Sequence, residues 1–417
     1  MIFMPEDQKQ DVARKKIVII GAGFGGLRFL YDIKKHFKNK MDIVIVDERE
    51  TSLEKPSLVE VALAGKPVSH TQIPIKNIAR SQNVEFINSG AYKIEPESNL
   101  VTLKNGSRIN YDYLVIAAGA VKDYPAIPGF KEYGYSVCDD YQAPRMWEAI
   151  NSFKGGNVVI GASKTRWGEK STDIKLDAPC EGPIGEIMFM LDFFLREHDL
   201  RELSTITVFT PGKVFFDDVG PKIHKKIVPI IAKKDIKVLN EKVISRIDMK
   251  SVHFEDGTEL PSDLTLVIPP YTGPDIIKDS GLGDEYGFIR TDRSMRHPVH
   301  QNIFVVGDCN ANSMPKLGHI ATIQADVAAS SFIKEISGEG NVIEFKPEVF
   351  CIMNRGGTEA TLILSDTLFG GKVDRTLNGP VAHMMKWGFD VYSYYTRGKL
   401  PPELMQSSLE KMLKGFR

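Results

Sequence analysis

A glycine-rich loop between two apolar segments constrains the fold of this chain more than any other feature. The run KIVII (Lys16–Ile20) is rich in β-branched residues, which is typical of a buried parallel strand. It is followed by GAGFGG at residues 21–26, a predicted helix at 24–38 and a second apolar run, DIVIV, at 42–46. GxGxxG alone is a weak signal, but between a strand and a helix it predicts a dinucleotide-binding βαβ unit.

The loop glycines have distinct predicted roles in binding a pyrophosphate. Gly21 permits the tight turn, Gly23 lets the backbone approach the phosphates, and Gly26 allows the helix to pack closely on the strand. The free N–H groups at the helix N-terminus favour an anion there. Asp47 or Glu48, at the end of the second strand, is expected to bind a ribose diol and to disfavour a 2′-phosphate. The predicted cofactor contacts of the loop are Gly21, Gly23, Gly25 and Gly26.

Two later segments end as strands do at a nucleotide crevice. YDYLVIAAG (residues 111–119) is an apolar run that ends in small residues, and NIFVVGD (302–308) ends in Gly-Asp. Because the carboxyl ends of parallel strands line the ligand crevice of such a sheet, we expect cofactor contacts there. The residues concerned are Ala118, Gly119, Gly307 and Asp308.

A second α/β unit is expected to begin at NVVIG (157–161). Its loop, GASKTRWGEK (161–170), lacks GxGxxG and contains Lys164, Arg166 and Trp167, so we interpret it as a degenerate nicotinamide loop. The predicted fold class is α/β, with two Rossmann-like dinucleotide-binding domains and a C-terminal membrane-interface region with amphipathic helices. The predicted domains are 1–155 together with 285–340, then 156–284, then 341–417.

The C-terminal segment is aromatic and rich in methionine. After Pro401-Pro402, apolar residues recur at helical spacing while charged residues occupy the other face. This pattern fits equally an interfacial membrane helix and a helix that docks on the protein or on a partner subunit. The apolar positions are Leu404, Met405, Leu409, Met412, Leu413 and Phe416.

Composition argues against several other classes of protein. Lys and Arg number 53 against 54 Asp and Glu, and no basic run stands out, so no nucleic-acid partner is expected. No apolar run reaches about 18 residues, and the N-terminus lacks an apolar core, so neither a spanning helix nor a secretory signal is predicted. The cysteines include no CxxC pair, so no metal site is expected. They are Cys138, Cys180, Cys309 and Cys351.

Several motifs resemble one group of flavoproteins. GAGFGG, YDYLVIAAG and NIFVVGDCNA occur in the order found in flavoproteins with two dinucleotide-binding domains, such as glutathione reductase, type II NADH dehydrogenase and sulfide:quinone oxidoreductase. SVCDD around Cys138, APCEGP around Cys180 and FCIMNRGG around Cys351 resemble the sulfide:quinone oxidoreductases and the related flavocytochrome c sulfide dehydrogenase. PKLGHIATIQA (315–325) and KWGFDVYSYY are also similar to that family, so the resemblance covers nearly the whole chain.

This resemblance implies FAD as the cofactor and sulfur chemistry at cysteines. Cys180 and Cys351 are the implied redox pair, which holds sulfur as a persulfide while two electrons reach the flavin. Cys138 matches a third family cysteine, which either attaches covalently to the flavin or shuttles sulfide. The chemistry calls for a low-pKa thiolate at the pair, favoured by a positive charge or by a helix N-terminus such as that predicted at 184–195. Cys309 is expected only to pack near the pyrophosphate.

Further site residues follow from the resemblance. Asp308 is expected to hydrogen-bond the ribityl or phosphate region, and Lys316, before a helix predicted at 317–333, to stabilise the anionic reduced flavin. Glu181 and Glu60 are candidates for proton transfer, although an ordinary polar role is favoured for each. Quinone contacts are implied at Lys316, Phe350 and Phe389.

The implied function is that of a sulfide:quinone oxidoreductase attached peripherally to the cytoplasmic face of a membrane. The expected partners are sulfide and polysulfide, membrane quinone, the membrane surface through C-terminal helices, and further copies of the chain in a homo-oligomer. The main alternative is a type II NADH:quinone dehydrogenase, which requires an intact nicotinamide loop but neither Cys180 nor Cys351. A non-enzymatic flavin-binding protein is a third alternative, against which the matched cysteines argue.

Overall fold

The computed structural model describes residues 14–168, 175–312 and 315–399. The strands up to residue 155 are β1 (Lys16–Ile20), β2 (Asp42–Asp47), β3 (Thr51–Leu53), β4 (Gln72–Pro74), β5 (Glu85–Asn88), β6 (Ala91–Glu95), β7 (Leu100–Leu103), β8 (Arg108–Asn110), β9 (Tyr113–Ile116), β10 (Val121–Lys122) and β11 (Gly134–Tyr135). The helices of this part are α1 (Phe24–Phe37), α2 (Leu58–Ala64), α3 (Ile75–Gln82), α4 (Phe130–Tyr133) and α5 (Gln142–Ser152).

The remaining described residues add twelve strands and five helices. The strands are β12 (Gly156–Ala162), β13 (Ser204–Phe209), β14 (Ile236–Leu239), β15 (Ile244–Ile247), β16 (Ser251–Phe254), β17 (Glu259–Pro261), β18 (Leu264–Ile268), β19 (Tyr271–Thr272), β20 (Ile303–Val305), β21 (Val349–Asn354), β22 (Ala360–Ser365) and β23 (Asp374–Gly379). The helices are α6 (Gly182–Glu197), α7 (Pro221–Lys233), α8 (Asp275–Asp279), α9 (Gly318–Ser337) and α10 (Pro380–Tyr395). Among the described residues, no helix has the length and apolar character needed to cross a membrane.

A five-stranded parallel sheet carries the glycine-rich loop. Its strand order is β20-β9-β1-β2-β5, so β20 returns from late in the chain to complete the sheet beside β9. Alternate side chains of β1 face opposite sides of the sheet. Ile17 and Ile19 are buried with residues of α1 and α9, whereas Val18 and Ile20 are buried with residues of the β6-β7-β8 sheet. Burial on both faces explains why β1 is uniformly apolar.

A second parallel sheet, in the order β11-β18-β12-β13-β14, follows the first in the chain. Its central strand β12 is the apolar run predicted to open a second α/β unit, and α6 packs against it. β11 joins this sheet although its residues precede residue 156. The antiparallel pair β10–β19 joins the segment that follows β9 of the first sheet to the segment that follows β18 of the second sheet. The predicted α/β fold class with two Rossmann-like sheets is therefore confirmed.

The C-terminal part is an antiparallel sheet, β21-β22-β23, covered by α10. Inward-facing Ala360, Leu362 and Leu364 of β22 form a small core with Ala382 of α10. β21 also contacts α6, which brings this sheet against the second domain. The amphipathic segment predicted at residues 404–416 lies outside the described residues.

Candidate active site

Two positions of the glycine-rich loop admit only glycine for reasons internal to the fold. Gly21 has φ +101°, and a Cβ atom there would lie 2.3 Å from the carbonyl oxygen of Ala117. A Cβ atom at Gly26 would lie 2.0 Å from the carbonyl oxygen of Gly21. The turn and the close packing of α1 on β1 therefore both depend on the missing side chains.

Gly23 differs from these two positions, because the protein leaves room for a side chain there. It is the N-cap of α1, with φ −82°, and a Cβ atom there would meet no protein atom within 4 Å. The space beside it is open, so an anion can reach the N–H groups at the start of α1 without an intervening side chain. At Gly25 a Cβ atom would lie 3.0 Å from Val306 Cγ2. This cradle fits the pyrophosphate of FAD.

The two acids after β2 lie in different surroundings. Asp47 is half-buried, and its carboxylate accepts the N–H groups of Ala22 and Arg49 at 2.8 Å each. Burial raises the pKa of Asp47, and these two N–H groups act in the opposite direction. The Glu48 side chain is 63% exposed and pairs with Lys104 at 2.7 Å. Asp47 is therefore the acid that adjoins the loop, and Glu48 faces solvent.

The ends of β9 and β20 form the other wall of the crevice. Gly119 and Gly307 have φ +69° and +82°, and a Cβ atom at either would meet nothing closer than 3.7 Å. Asp308 is half-buried, with Lys55 Nζ 3.9 Å from its carboxylate. The nearby charge of Lys122 lowers the pKa of Lys55 to about 8. The crevice thus combines two glycines with free space beside them, the carboxylate of Asp308, and the lysines Lys55 and Lys122.

Lys316 is buried and held by specific contacts. It is 6% exposed, and its Nζ donates to the carbonyl of Asn310 at 2.9 Å. The ammonium lies 4.7 and 4.6 Å from the ring centroids of Trp167 and Phe288, within cation–π distance. Burial lowers the pKa of Lys316 to about 8. The helix predicted from 317 begins at Gly318, so Lys316 adjoins its N-terminus as expected.

The second domain has no matching phosphate loop among its described residues. β12 continues into irregular backbone as far as Gly168, and the next described helix begins only at Gly182. At Gly161 a Cβ atom would lie 2.4 Å from the Phe209 ring, so that ring occupies the space beside the strand end. β12 therefore lacks, in this part of the chain, the adjoining helix N-terminus that binds phosphate in the first domain.

Cys180 and Cys351 meet at the start of α6. Cys180 precedes the helix, and Cys351 lies in β21. A Cβ atom on Gly182 would lie 3.5 Å from Cys351 Sγ and 4.0 Å from Cys180 Sγ, so both sulfurs border the same small space. Cys180 is buried and Cys351 half-buried, and both are free thiols. The fold therefore brings together the two cysteines that the resemblance implied as a pair.

The pKa values of these thiols correct the expectation of a low-pKa thiolate. Burial raises the pKa of Cys180 well above its usual range, and the charge of Asp218 adds to this. Burial also raises the pKa of Cys351 to about 12, with a further contribution from Glu186. The Gly182 N–H at the start of α6 opposes the shift at Cys180. Desolvation and carboxylates thus outweigh the helix N-terminus.

The third cysteine, Cys138, lies beside the hydroxyl group of Tyr271. Cys138 Sγ lies 3.5 Å from the Tyr271 hydroxyl, and Lys122 Nζ lies 5.2 Å from the centre of the same ring. Burial raises the pKa of Tyr271, and the thiolate charges of Cys138 and Cys180 both add to it. Cys309 is separate: its thiol donates to two carbonyl groups of the first domain at 3.5 Å. Tyr271 thus contacts the third cysteine and is subject to the charge of Cys180.

A buried ion pair near Cys351 was not predicted from the sequence. Lys386 of α10 donates to Glu186 of α6, and the side chains are only 5% and 7% exposed. Glu186 also accepts a backbone N–H of β21 at 2.8 Å. Glu60, considered for proton transfer, instead pairs with Lys66. A lone glutamate in the apolar run GPIGEIMFML was the available signal, because a buried acid requires a partner.

The aromatic residues implied in quinone binding lie in the C-terminal part. Phe350 is a half-buried residue of β21 whose ring centroid is 5.3 Å from that of His319. Phe389 is half-buried on α10, three residues after Lys386. α10 also exposes large apolar side chains, which are Val381, Met384, Trp387, Tyr394 and Tyr395.

Comparison with known proteins assigns the class. Residues 15–325 match the family model described as pyridine nucleotide-disulphide oxidoreductase. The match covers most of the chain, so this protein belongs to that family.

Within this family, the chain is similar to several sulfide:quinone oxidoreductases. The sulfide-quinone reductase of Aquifex aeolicus is 25% identical over 96% of this chain and 95% of its own length. The mitochondrial sulfide:quinone oxidoreductase of Dictyostelium discoideum is 27% identical over 87% of this chain and 79% of its own. The crystal structure of the Aquifex aeolicus enzyme shares the fold with a TM-score of 0.86, 23% identity and 96% coverage of both chains. The resemblance inferred from the cysteine motifs is confirmed.

Proposed function

We propose that this protein is an FAD-dependent sulfide:quinone oxidoreductase. It oxidises sulfide to a protein-bound persulfide and then to polysulfide or sulfur, and two electrons pass to quinone. The observation that carries the proposal is that Cys180 and Cys351 border one space at Gly182. A redox pair that accepts sulfur needs two cysteines within reach of each other, and an NADH dehydrogenase needs neither. The names of the relatives support the same activity.

Residues of this chain account for how FAD would be held. The loop at Gly23 would receive the pyrophosphate, Asp47 the ribose and Asp308 the ribityl or phosphate region. When bound, FAD accepts two electrons from one substrate and delivers them to another. Lys316 places a positive charge between Trp167 and the start of α9, where it would stabilise added negative charge.

The cysteine pair performs the sulfur transfer. Hydrosulfide attacks one sulfur of the oxidised Cys180–Cys351 disulfide, a new S–S bond forms, and the electron pair of the broken bond stays on the released thiolate. One cysteine then carries a persulfide. Attack of a second hydrosulfide on the outer sulfur releases polysulfide and returns the cysteine as a thiolate. Cys138, which lies 3.5 Å from the Tyr271 hydroxyl, would either shuttle sulfide or attach to the flavin.

The C-terminal part would provide the quinone and membrane contacts. Phe350 and Phe389 are proposed to contact quinone together with Lys316. The exposed apolar side chains of α10, with Met384 and Trp387 60% and 61% exposed, would enter the lipid headgroup region. We further propose peripheral attachment to the cytoplasmic membrane face and assembly as a homo-oligomer.

Anaerobic reduction of the purified, FAD-loaded protein tests the activity. Sulfide should bleach the flavin absorbance rapidly, and added quinone should restore it, whereas NADH should leave the spectrum unchanged. The reason is that Cys180 and Cys351 border one space, whereas the described residues of the second domain contain no matching phosphate loop. Rapid bleaching by NADH without a response to sulfide would instead establish a type II NADH:quinone dehydrogenase.

A further inference from the structure

Three carboxylates gather beside Cys180 and take no part in the sulfur chemistry described above. Glu181 follows Cys180 directly, and Asp217 and Asp218 lie between β13 and α7. One carboxylate oxygen from each acid lies within 4.8 Å of the other two. Glu181 and Asp218 are only 2% and 4% exposed, whereas Asp217 is half-buried. The cluster therefore extends from two buried acids, Glu181 and Asp218, to Asp217, which is partly exposed to solvent.

The hydrogen bonds of the cluster leave one buried oxygen without a donor. Glu181 Oε1 accepts the Thr210 hydroxyl at 2.5 Å, and Oε2 accepts the N–H of Phe216 at 2.6 Å. Asp218 accepts the backbone N–H of Glu181. Its Oδ1 atom is fully buried and has no hydrogen-bond partner within the described part of the chain. A buried carboxylate oxygen without a donor is costly unless it carries a proton, so Oδ1 is the position suited to receive one.

The surroundings of the cluster raise the pKa values of its three acids towards neutral pH. Burial and repulsion by other cluster carboxylates raise the pKa of Glu181 to about 8 and that of Asp218 to about 7, and burial raises the pKa of Asp217 to about 6. Asp177, from the segment before α6, raises the pKa of Asp217, and His224 of α7 lowers it. The charge of Asp218 raises the pKa of two thiols, Cys180 and, from β21, Cys351.

We propose that Glu181, Asp217 and Asp218 form the proton-accepting site for Cys180. This inference rests on the proposed sulfide oxidation at Cys180 and Cys351. In the step, the S–H bond of Cys180 breaks, an O–H bond forms at Asp218 Oδ1, and the electron pair of the S–H bond stays on sulfur. The Cys180 thiolate can then re-form the disulfide with Cys351, and the two electrons released in that step pass to FAD, the acceptor in the proposed function. The proton moves through the shared carboxylates to Asp217 and solvent.

The chemistry requires such a site because Cys180 lies where a thiolate is disfavoured. A general base is most effective when its pKa lies near the working pH. Carboxylates in water have pKa values of about 4 and are weak bases at neutral pH. Crowding three of them in a buried space makes them stronger bases without adding a histidine, and Asp218 is the acid whose charge acts on both thiols.

The first test uses infrared titration of the full-length, FAD-loaded protein and of Asp218→Asn, which removes the ionisable group with little change in shape. The wild type should show a carboxylic acid C=O absorption that titrates between pH 6 and 8, the range of the three acids. Asp218→Asn should lose part of it. Asp32→Asn is the control for band assignment, because burial also raises the pKa of this acid of α1 to about 7.

The second test measures, against pH, the rate of anaerobic flavin bleaching at sulfide concentrations that saturate the rate, so that ionisation of sulfide itself does not set the pH dependence. In the wild type the rate should rise through about pH 7, because the acids accept a proton only when ionised. Asp218→Asn should lose this rise and be slower by about 100-fold or more, the usual contribution of a general base. Asp217→Asn should weaken the same rise, and Asp32→Asn should keep it.

The outcomes separate this inference from the proposed function. An unchanged pH rise in both Asp218→Asn and Asp217→Asn would overturn the proton site. One bound divalent cation per chain, lost in Asp218→Asn, would overturn it in favour of a metal site. A wild type that sulfide does not bleach would contradict the proposed function, and the infrared titration would still decide whether the carboxylates share a proton.

Discussion

At the residue scale, two glycines of one loop illustrate two different constraints. A methyl group at Gly26 would collide with the carbonyl of Gly21 at 2.0 Å, whereas a methyl group at Gly23 would meet no protein atom within 4 Å. The first position is restricted by the packing of the protein. At the second position the protein itself leaves room, so a restriction to glycine there would come from the proposed ligand.

Substitution of Gly23 tests this distinction. Gly23→Ala should leave the free energy of unfolding of the FAD-free protein within about 1 kcal/mol of the wild type, because the added methyl meets no protein atom and φ is −82°. It should lower FAD content and affinity, since the methyl group occupies the pyrophosphate space. Flavin absorbance per protein and thermal denaturation are the measurements.

Gly388→Ala is the matched control, because a Cβ atom there also meets nothing within 4 Å and the residue lies on α10, outside the loop. It should keep full FAD content. A Gly23→Ala protein that retains the wild-type FAD content would show that the loop does not bind the pyrophosphate.

The cysteines show what can be predicted for single residues. Sequence motifs indicated which thiols pair, but they predicted a lowered pKa where the structure has raised values. Burial is the largest cause, and the charges of Asp218 and Glu186 add to it; both effects depend on the packing of distant segments. An electrostatic environment of this kind cannot be read from the residues that flank a cysteine.

At the scale of elements, α10 has two contrasting sides. Ala382 and Lys386 are buried against β22 and α6, whereas Met384 and Trp387 are exposed. The sequence indicated an aromatic C-terminal region and an amphipathic helix at 404–416, which lies outside the described residues, but it did not predict the bounds of α10. A lysine on the buried side obscures the apolar periodicity, because its partner Glu186 lies on another helix.

The exposed side of α10 predicts a membrane contact. The double variant Met384→Glu/Trp387→Glu should bind lipid vesicles at least about tenfold more weakly, because each buried large apolar side chain contributes about 1.5–3 kcal/mol. Flavin bleaching by sulfide in solution should be unchanged. Vesicle co-sedimentation is the measurement.

Val299→Glu is the control, since Val299 is 74% exposed in the segment before β20 and lies outside α10. It should bind vesicles as the wild type does. Equal vesicle binding by the double variant and the wild type would exclude α10 as the membrane contact.

The regular elements of the two parallel sheets were predictable, and the irregular ones were not. β1, β2, β9, β12 and β20 are short apolar runs that end in glycine or acidic residues, so pattern alone located them. β23 (DRTLNG) has no such pattern and forms by pairing with β22. The loop that holds Asp217 and Asp218 begins with the turn signal Pro211-Gly212 but shows no helix or strand pattern that would place the two acids.

At the scale of the whole molecule, the site is assembled from three parts of the chain. The first sheet supplies the glycine-rich loop, the second domain supplies Cys180 ahead of α6, and the C-terminal sheet supplies Cys351. The contact between β21 and α6 joins the last two parts. Resemblance could name these residues, but only the fold shows that Cys180 and Cys351 both border the space beside Gly182.

The most direct measurement of the central claim is to locate the sulfur after a single turnover. Sulfide is added anaerobically to the FAD-loaded protein without quinone, the thiols are alkylated, and peptides are analysed by mass spectrometry. One added sulfur atom is expected on Cys180 or Cys351 and none on Cys309. Cys180→Ala and Cys351→Ala should each bind FAD yet remain unbleached by sulfide, with Cys309→Ser as the control that is bleached normally. Bleaching of the wild type with no added sulfur on either Cys180 or Cys351 would contradict the account.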